Sequence, residues 1–426
     1  MTVFVFIASL LAAMALGMPL AFSLIVSGVA LMLHLDNFDT QIVSQNLING
    51  ADNFPLMAVP FFMLAGELMN AGGMSRRIVN SALVWVGHFK GGLGYVAVFA
   101  AIIMASLSGS AVADTAALAA VLMPMMREAG YRMDRSAGLI AAGGIIAPVI
   151  PPSIGFILFG VIGGVSISKL FMAGIFPGIL MGVALLITWW IVARKDDVKV
   201  SASVPMKEKV RVTIDAFWCY LLALTIIGGM KMGIFTPTEA AVVAVVYSLL
   251  IGLFVYREIK FKDLYGIILA AAKTSSVVMF LVAAALVSAW LITIANIPAQ
   301  VVDMLRPFID NPTLLMVMLM LMVLIVGTAL DFAPTVLILT PVLMPLVREA
   351  GINPVYFGVL FIINNAIGLL TPPVGTVLNV VCGVGRIPMH EVIRGVMPFL
   401  ISQVIVMGLL VAFPILVMGP LKWLSS

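Results

Sequence analysis

AAGGIIAPVIPPSIGF, residues 141–156, is apolar enough to lie inside a membrane, yet it holds three glycines and three prolines. Inside a helix these residues cost about 1 and 3 kcal/mol each relative to alanine. Such a run within a hydrophobic segment predicts a helix that is interrupted on purpose. Its echo, TPPVG at 371–375, stands 221 residues further on.

The surrounding chain sets the solvent. Of its 426 residues 63% are hydrophobic and 10% charged. A soluble domain carries about a quarter charged residues, so the chain is an integral membrane protein. The N-terminal run 3–33 is too long for a signal-peptide core and has no small-residue cleavage site after it; it crosses once or forms a short pair. Two cysteines and three scattered histidines exclude a disulfide framework and a Cys-based metal site. There is no GxxxxGK[ST] phosphate loop and no GxSxG elbow, and no histidine lies near a break. An enzyme or an ATP-driven pump therefore has no support, which leaves an ion gradient as the energy source for transport.

Two apolar runs, 93–127 and 313–347, are 35 residues long, against about 20 for one crossing. Each is broken near its middle, by SLSGSAVADT (106–115) and by VGTALDFAPT (326–335). Paired half-helices around such a break predict a re-entrant hairpin, whose tip must lie inside protein or line a cavity. VLMPMMREAG (121–130) recurs as VLMPLVREAG (342–351), and the same offset carries Pro151-Pro152 onto Pro372-Pro373 and Gly174 onto Gly395. The chain is thus an internal duplication, each copy holding a hairpin and a broken helix.

Charge orients the two copies. The first hairpin's base carries Arg76, Arg77, Lys90, Arg127, Arg132 and Arg135; the second has Arg306 and Arg348 offset by Asp303, Asp310 and Glu349. The polar stretch 194–211 holds six Lys and Arg, whereas 34–53 has none. By the positive-inside rule the first hairpin opens to the cytoplasm and the second to the outside. The expected fold is all-α, an inverted repeat with two re-entrant hairpins and two broken helices.

The tips and breaks supply Ser106, Ser108, Gly109, Ser110 and 143–153 from the first copy, and Gly327, Thr328, Asp331, Asn364, Asn365 and 371–375 from the second. Freed carbonyls and neutral side-chain oxygens make a hard-cation site, and helix N-termini suit a carboxylate. The alternative is that Gly and Pro only kink helices for packing. Asp331 and Asp114 are membrane carboxylates, functional by default, with an N-cap role as the competing reading. Glu239 reads best as part of a capping box with Thr236. Glu67 has no partner legible in the sequence. Residues 74–90 read as an interfacial amphipathic helix or as a plain linker.

These motifs, with FPLMAVPFFMLAGELMNAGG (54–73), LMPMMREAGY (122–131), IIAPVIPPSI (145–154), GIFTPTEAA (233–241) and LLTPPVGTVLNV (369–380), make the chain resemble the large membrane subunit of TRAP (tripartite ATP-independent periplasmic) transporters. The resemblance covers essentially the whole chain and is greatest to the sialic-acid branch. It implies an elevator-type transporter in the bacterial inner membrane, with two or more Na⁺ driving uptake of an organic acid. It also implies a small four-helix membrane subunit and a periplasmic substrate-binding protein. The first Na⁺ would fall on Ser106, Ser108, Gly144, Ala147 and Pro148, and the second on Gly327, Thr328, Thr371 and Gly375. Substrate would meet Ser108, Ser153 and Asp331. Transport elements would be 93–170 and 313–390. The scaffold would be 1–92 with an arm helix, 171–264, 265–312 and 391–426. The tips contain no Lys or Arg, which suits a polyhydroxylated monocarboxylate such as N-acetylneuraminate over a C4-dicarboxylate. The competing expectations are a C4-dicarboxylate or other sugar- or keto-acid subunit of the same family, and a stand-alone Na⁺/anion symporter of the same architecture.

Overall fold

The computed structural model describes residues 2–194, 203–297, 299, 300, 308 and 311–425, and the regular elements among them are all helical. Asp303, Arg306 and Asp310, used above for orientation, and part of the polar loop 194–211 lie outside the described residues. Among the described residues seven helices are long and apolar enough to cross a membrane.

Residues 3–33 form a pair, α1 (Thr2–Ala15) and α2 (Leu20–His34), packed on each other. Pro19, immediately before α2, cannot continue α1, and Gly17 (φ +81°) turns the chain between them. α3 (Thr40–Ala51) and α4 (Ala58–Ala71) follow. The amphipathic α5 (Met74–Val86) buries Met74, Ile78, Val79 and Ala82 on one side, as helical spacing requires. Left-handed glycines, Gly73 and Gly91, stand before α5 and before the next helix.

The first hairpin is α6 (Gly92–Ser108) and α7 (Ala111–Glu128), joined by Gly109 (φ +62°) and Ser110, whose hydroxyl caps α7. The first broken helix is α8 (Met133–Gly144) and α9 (Ile154–Gly163), with Ser153 capping α9. The quoted stretch is the gap between them. α10 (Ile167–Ala193), α11 (Met206–Asp215), α12 (Phe217–Lys231), α13 (Pro237–Leu250) and α14 (Leu264–Ile294) connect the repeats. The second hairpin is α15 (Pro312–Ala329) and α16 (Phe332–Glu349); the second broken helix is α17 (Pro354–Leu370) and α18 (Thr376–Gly385). α19 (Met389–Ala412) and α20 (Ile415–Ser425) end the chain.

Two packed bodies emerge. α14 runs against α2, α3 and α4, and α13 lies on α4. Gly50 brings α3 so near α14 that a Cβ on it would fall 2.8 Å from the Ala283 backbone, the small-residue contact that membrane helices use. The other body holds the hairpins and broken helices. α10 and α19, which the sequence grouped with the outer helices, pack against this body: α19 on α8, and α10 on α6, α9 and α17. The α8–α19 crossing is close at Gly138, where a Cβ would lie 2.6 Å from the Gly395 carbonyl, and closer at Gly395, where one would lie 1.9 Å from the Asp134 carbonyl.

Two arginines lock the repeats together. Arg127 at the end of α7 donates to the Gly385 carbonyl at the end of α18 (2.7 Å). Its repeat equivalent Arg348, at the end of α16, donates to the Gly163 carbonyl at the end of α9 (2.8 Å). Each hairpin thus satisfies a helix terminus that has spare carbonyls and a negative dipole end, and that terminus belongs to the other repeat.

The arm helix is tied down by charge. Arg77 pairs with Glu258 (2.7 Å) and Asp215 (3.0 Å) and lies 3.7 Å above the Tyr256 ring. At the start of α13 the expected capping box is present: the Glu239 N–H donates to the Thr236 hydroxyl (3.3 Å) and the Thr236 N–H to the Glu239 carboxylate (2.8 Å). Glu239→Ala should lower the melting temperature in detergent and leave uptake per folded protein unchanged. Loss of uptake at an unchanged melting temperature would assign Glu239 to transport instead.

Candidate functional site

The first tip is built around Gly109. Its positive φ suits glycine, and a Cβ there would lie 2.5 Å from the Pro152 carbonyl and 3.3 Å from Ser153 Cα. The tip therefore rests directly on the break of α8–α9. The other side of that break meets the second tip: a Cβ on Gly155 would fall 2.6 Å from the Phe332 ring, next to Asp331. The fold brings Ser108, Ser153 and the Asp331–Phe332 turn around one short piece of backbone. Pro151–Pro152 and Pro372–Pro373 are both cis.

Polar atoms at the first tip are left without partners. Asp114 is 2% exposed. It accepts the Ser108 hydroxyl through one oxygen, and its other oxygen has no partner among the described residues. The Thr115 hydroxyl is buried and equally unpartnered. It lies against Gly144, where a Cβ would sit 1.7 Å from Thr115 Oγ1. An orphan polar atom in a dry interior costs about 1–3 kcal/mol, more if charged. Both orphan oxygens belong to the first turns of α7, beside the first break. Asp114 was one of two candidate carboxylates in the sequence. Thr115 was missed, since a threonine one turn into an apolar helix carries no signal of its own.

Three of the four hydroxyls expected as ligands bond back into their own helices. Ser106 donates to the Ile103 carbonyl (2.6 Å), Thr328 to Ile325 (2.7 Å) and Thr371 to Ile367 (2.8 Å). With its proton spent one turn back, each hydroxyl keeps its lone pairs free. Two expected carbonyls are already engaged: Pro148 accepts the Ser153 hydroxyl, and Gly144 accepts the Ala147 N–H (3.2 Å). At the second break Gly327 and Gly368 let α15 and α17 touch, with Gly327 backbone 2.8–3.0 Å from a Cβ placed on Gly368. Beside them Asn365 donates to the Phe332 carbonyl (2.8 Å), while its Oδ1 is buried without a partner among the described residues. Gly375 holds φ +47° before α18. Asp331 itself is exposed and caps α16, accepting the Phe332 N–H (2.8 Å), so the N-cap reading holds for its backbone-facing oxygen. Among the described residues no three His, Cys, Asp or Glu gather as a metal site.

A cavity of about 80 Å³ lies between the first tip and the outer body, lined by Ser108, Ser110 and Ile154 on one side and Glu67, Asn70 and Thr274 on the other. Glu67 thus faces the tip from α4.

Residues 7–416 match the family described as the tripartite ATP-independent periplasmic transporter, DctM component. The chain belongs to this family. It is 55% identical over 425 residues, the full length of both chains, to the 2,3-diketo-L-gulonate TRAP transporter large permease protein YiaN of Escherichia coli. It is 38% identical over 93% of both chains to the sialic acid TRAP transporter large permease protein SiaM of Vibrio cholerae. To the C4-dicarboxylate large permease protein DctM of Pseudomonas aeruginosa it is 33% identical over 95% of this chain and 94% of that one. Among solved structures the YdaH transporter of Alcanivorax borkumensis shares the fold, with a TM-score of 0.67 over 92% of this chain and 91% of that one at 15% identity. The protein is a multi-pass inner-membrane transport subunit and not an enzyme. A large permease of this family works with a small membrane subunit and a periplasmic binding protein, and the stand-alone symporter expectation falls.

The first tip yields a direct test. Gly109→Ala adds both left-handed strain, about 1–2 kcal/mol, and a clash with the Pro152 carbonyl. The variant should melt at lower temperature and lose most uptake. An unchanged melting curve would show that the tip is free to move off the break.

Proposed function

We propose that this subunit imports a keto sugar acid, driven by two or more Na⁺, by an elevator movement of the hairpin body against the outer body. The observation that carries this is a set of buried oxygens without partners among the described residues at the two breaks: Asp114 and Thr115 at one, Asn365 and Thr376 at the other. A small hard cation at each would complete them. The first Na⁺ would draw on Ser106, Ser108, the 144–148 backbone and, beyond the sequence expectation, Asp114 and Thr115. The second would draw on Gly327, Thr328, Thr371, Gly375 and the Asn365 amide oxygen. Substrate carboxylate would sit between Ser108, Ser153 and the Asp331 turn, where the capped starts of α9 and α16 point their N–H groups.

For the substrate, the higher identity to a permease named for 2,3-diketo-L-gulonate (55%) than to one named for sialic acid (38%) supports a diketo or keto hexonate in place of N-acetylneuraminate. The body that moves would include α10 and α19 with the hairpins, because they pack there. A small four-helix subunit would brace the outer body, and a periplasmic protein would deliver substrate.

Uptake into proteoliposomes holding the chain and its small subunit, with the binding protein outside, tests this. An inward Na⁺ gradient should drive 2,3-diketogulonate accumulation well above N-acetylneuraminate and succinate. Uptake indifferent to Na⁺, or a preference for succinate, would overturn the reading. Asp331→Ala should reduce uptake at least tenfold in a protein that still purifies as a single species; wild-type rates would remove Asp331 from the site.

A further inference from the structure

A second cavity, about 590 Å³, opens along the same seam between the two bodies. Its walls are Asn46 and Asn49 of α3, Trp290 and Thr293 of α14, the end of α9 at Gly163, and Arg348 of α16. α9 joins the two places: it starts at the first tip and ends here ten residues later, about 15 Å away at 1.5 Å per residue. By the orientation argued above this is the outer end of the seam. The chemistry differs from that at the tip. The tip cavity is lined by one carboxylate, Glu67, and no cation; this one is lined by one guanidinium and no carboxylate. Arg348 spends one nitrogen on the Gly163 carbonyl, and a guanidinium has five N–H donors. Two amides, a hydroxyl and an indole join it, and glycine and apolar residues make up the rest of the lining. The volume falls within the range of small-molecule sites, about 300–1,000 Å³.

We infer that this cavity is an outer receiving site for a polyhydroxylated monocarboxylate, occupied before the substrate reaches the tips. The inference rests on the organic-acid reading of the function. Arg348 takes the carboxylate, the Asn46 and Asn49 amides meet hydroxyls or keto oxygens, and Trp290 covers the carbon face of the molecule. The cavity is bounded by both bodies, so its shape depends on their relative position, and the ligand must leave it for the tips as the bodies shift.

The internal repeat provides the control. Arg127 makes the same kind of helix-end bond as Arg348 but lines none of the cavities described. Binding of free 2,3-diketogulonate is measured on the purified membrane complex without binding protein, in a Ser108→Ala background that disables the tip. Saturable binding should persist there, weaken at least tenfold with Arg348→Gln, recover in part with Arg348→Lys, and stay unchanged with Arg127→Gln. Trp290→Ala should weaken it as well, and it decides the question if Arg348→Gln does not fold. Absence of saturable binding in Ser108→Ala, or equal effects of Arg348→Gln and Arg127→Gln, would overturn the inference. Wild-type uptake is run alongside: a complex that transports no organic acid sinks the functional reading itself, whereas normal uptake with unaltered variant binding sinks only the receiving site.

Discussion

A backbone carbonyl or N–H that leaves a helix inside a bilayer has no water to turn to. Everything distinctive in this protein follows from meeting that demand at two breaks. Ser153 meets part of it at the first, receiving the Phe156 N–H while donating to Pro148. Gly109 lets the hairpin tip press onto the same backbone, and Gly155 lets the second hairpin press from the other side. Ten buried side-chain atoms among the described residues stay without a hydrogen-bond partner, and four of them lie at the breaks: one oxygen each of Asp114, Thr115, Asn365 and Thr376. A cation site of the kind proposed would be a shortfall in internal hydrogen bonding, placed where helices cross closely.

The same economy explains the glycines. Gly144 against Thr115, Gly327 against Gly368 and Gly138 against Gly395 are close crossings in which a side chain would collide with its neighbour. In lipid, apolar side chains gain little by leaving one solvent for another, so helices hold together by such contacts and by polar bonds. The body containing the breaks is dense with them. The seam to the outer body contains the two cavities described above.

Much of this was legible beforehand, and the reasons are local. A run such as IIAPVIPPSI contradicts its own hydrophobicity, so a break is the simplest reading. VLMPMMREAG and VLMPLVREAG expose the duplication without any structure. The capping box at Thr236 is written within four residues. Contacts between distant backbones were not legible. Arg127 and Arg348 bond to carbonyls at Gly385 and Gly163, and a carbonyl has no letter in a sequence. The attachment of α10 and α19 to the hairpin body escaped for a similar reason, since an apolar helix shows that it is buried and not against what. The greater similarity to a permease named for 2,3-diketo-L-gulonate than to one named for sialic acid was not legible either, because hydroxyl-rich tips suit many sugar acids alike.

The crossed arginines carry a consequence for how such a chain arose. Each repeat closes its broken helix with a residue borrowed from the other, and the two lie upside down relative to each other. Half of this protein expressed alone would have one unsatisfied helix end and one arginine with nothing to hold. It could complete itself only by pairing with a copy inserted the opposite way up. A single-repeat ancestor built on this pattern would have been a dual-topology dimer, and gene fusion would have made permanent a partnership that the arginine clasp already required.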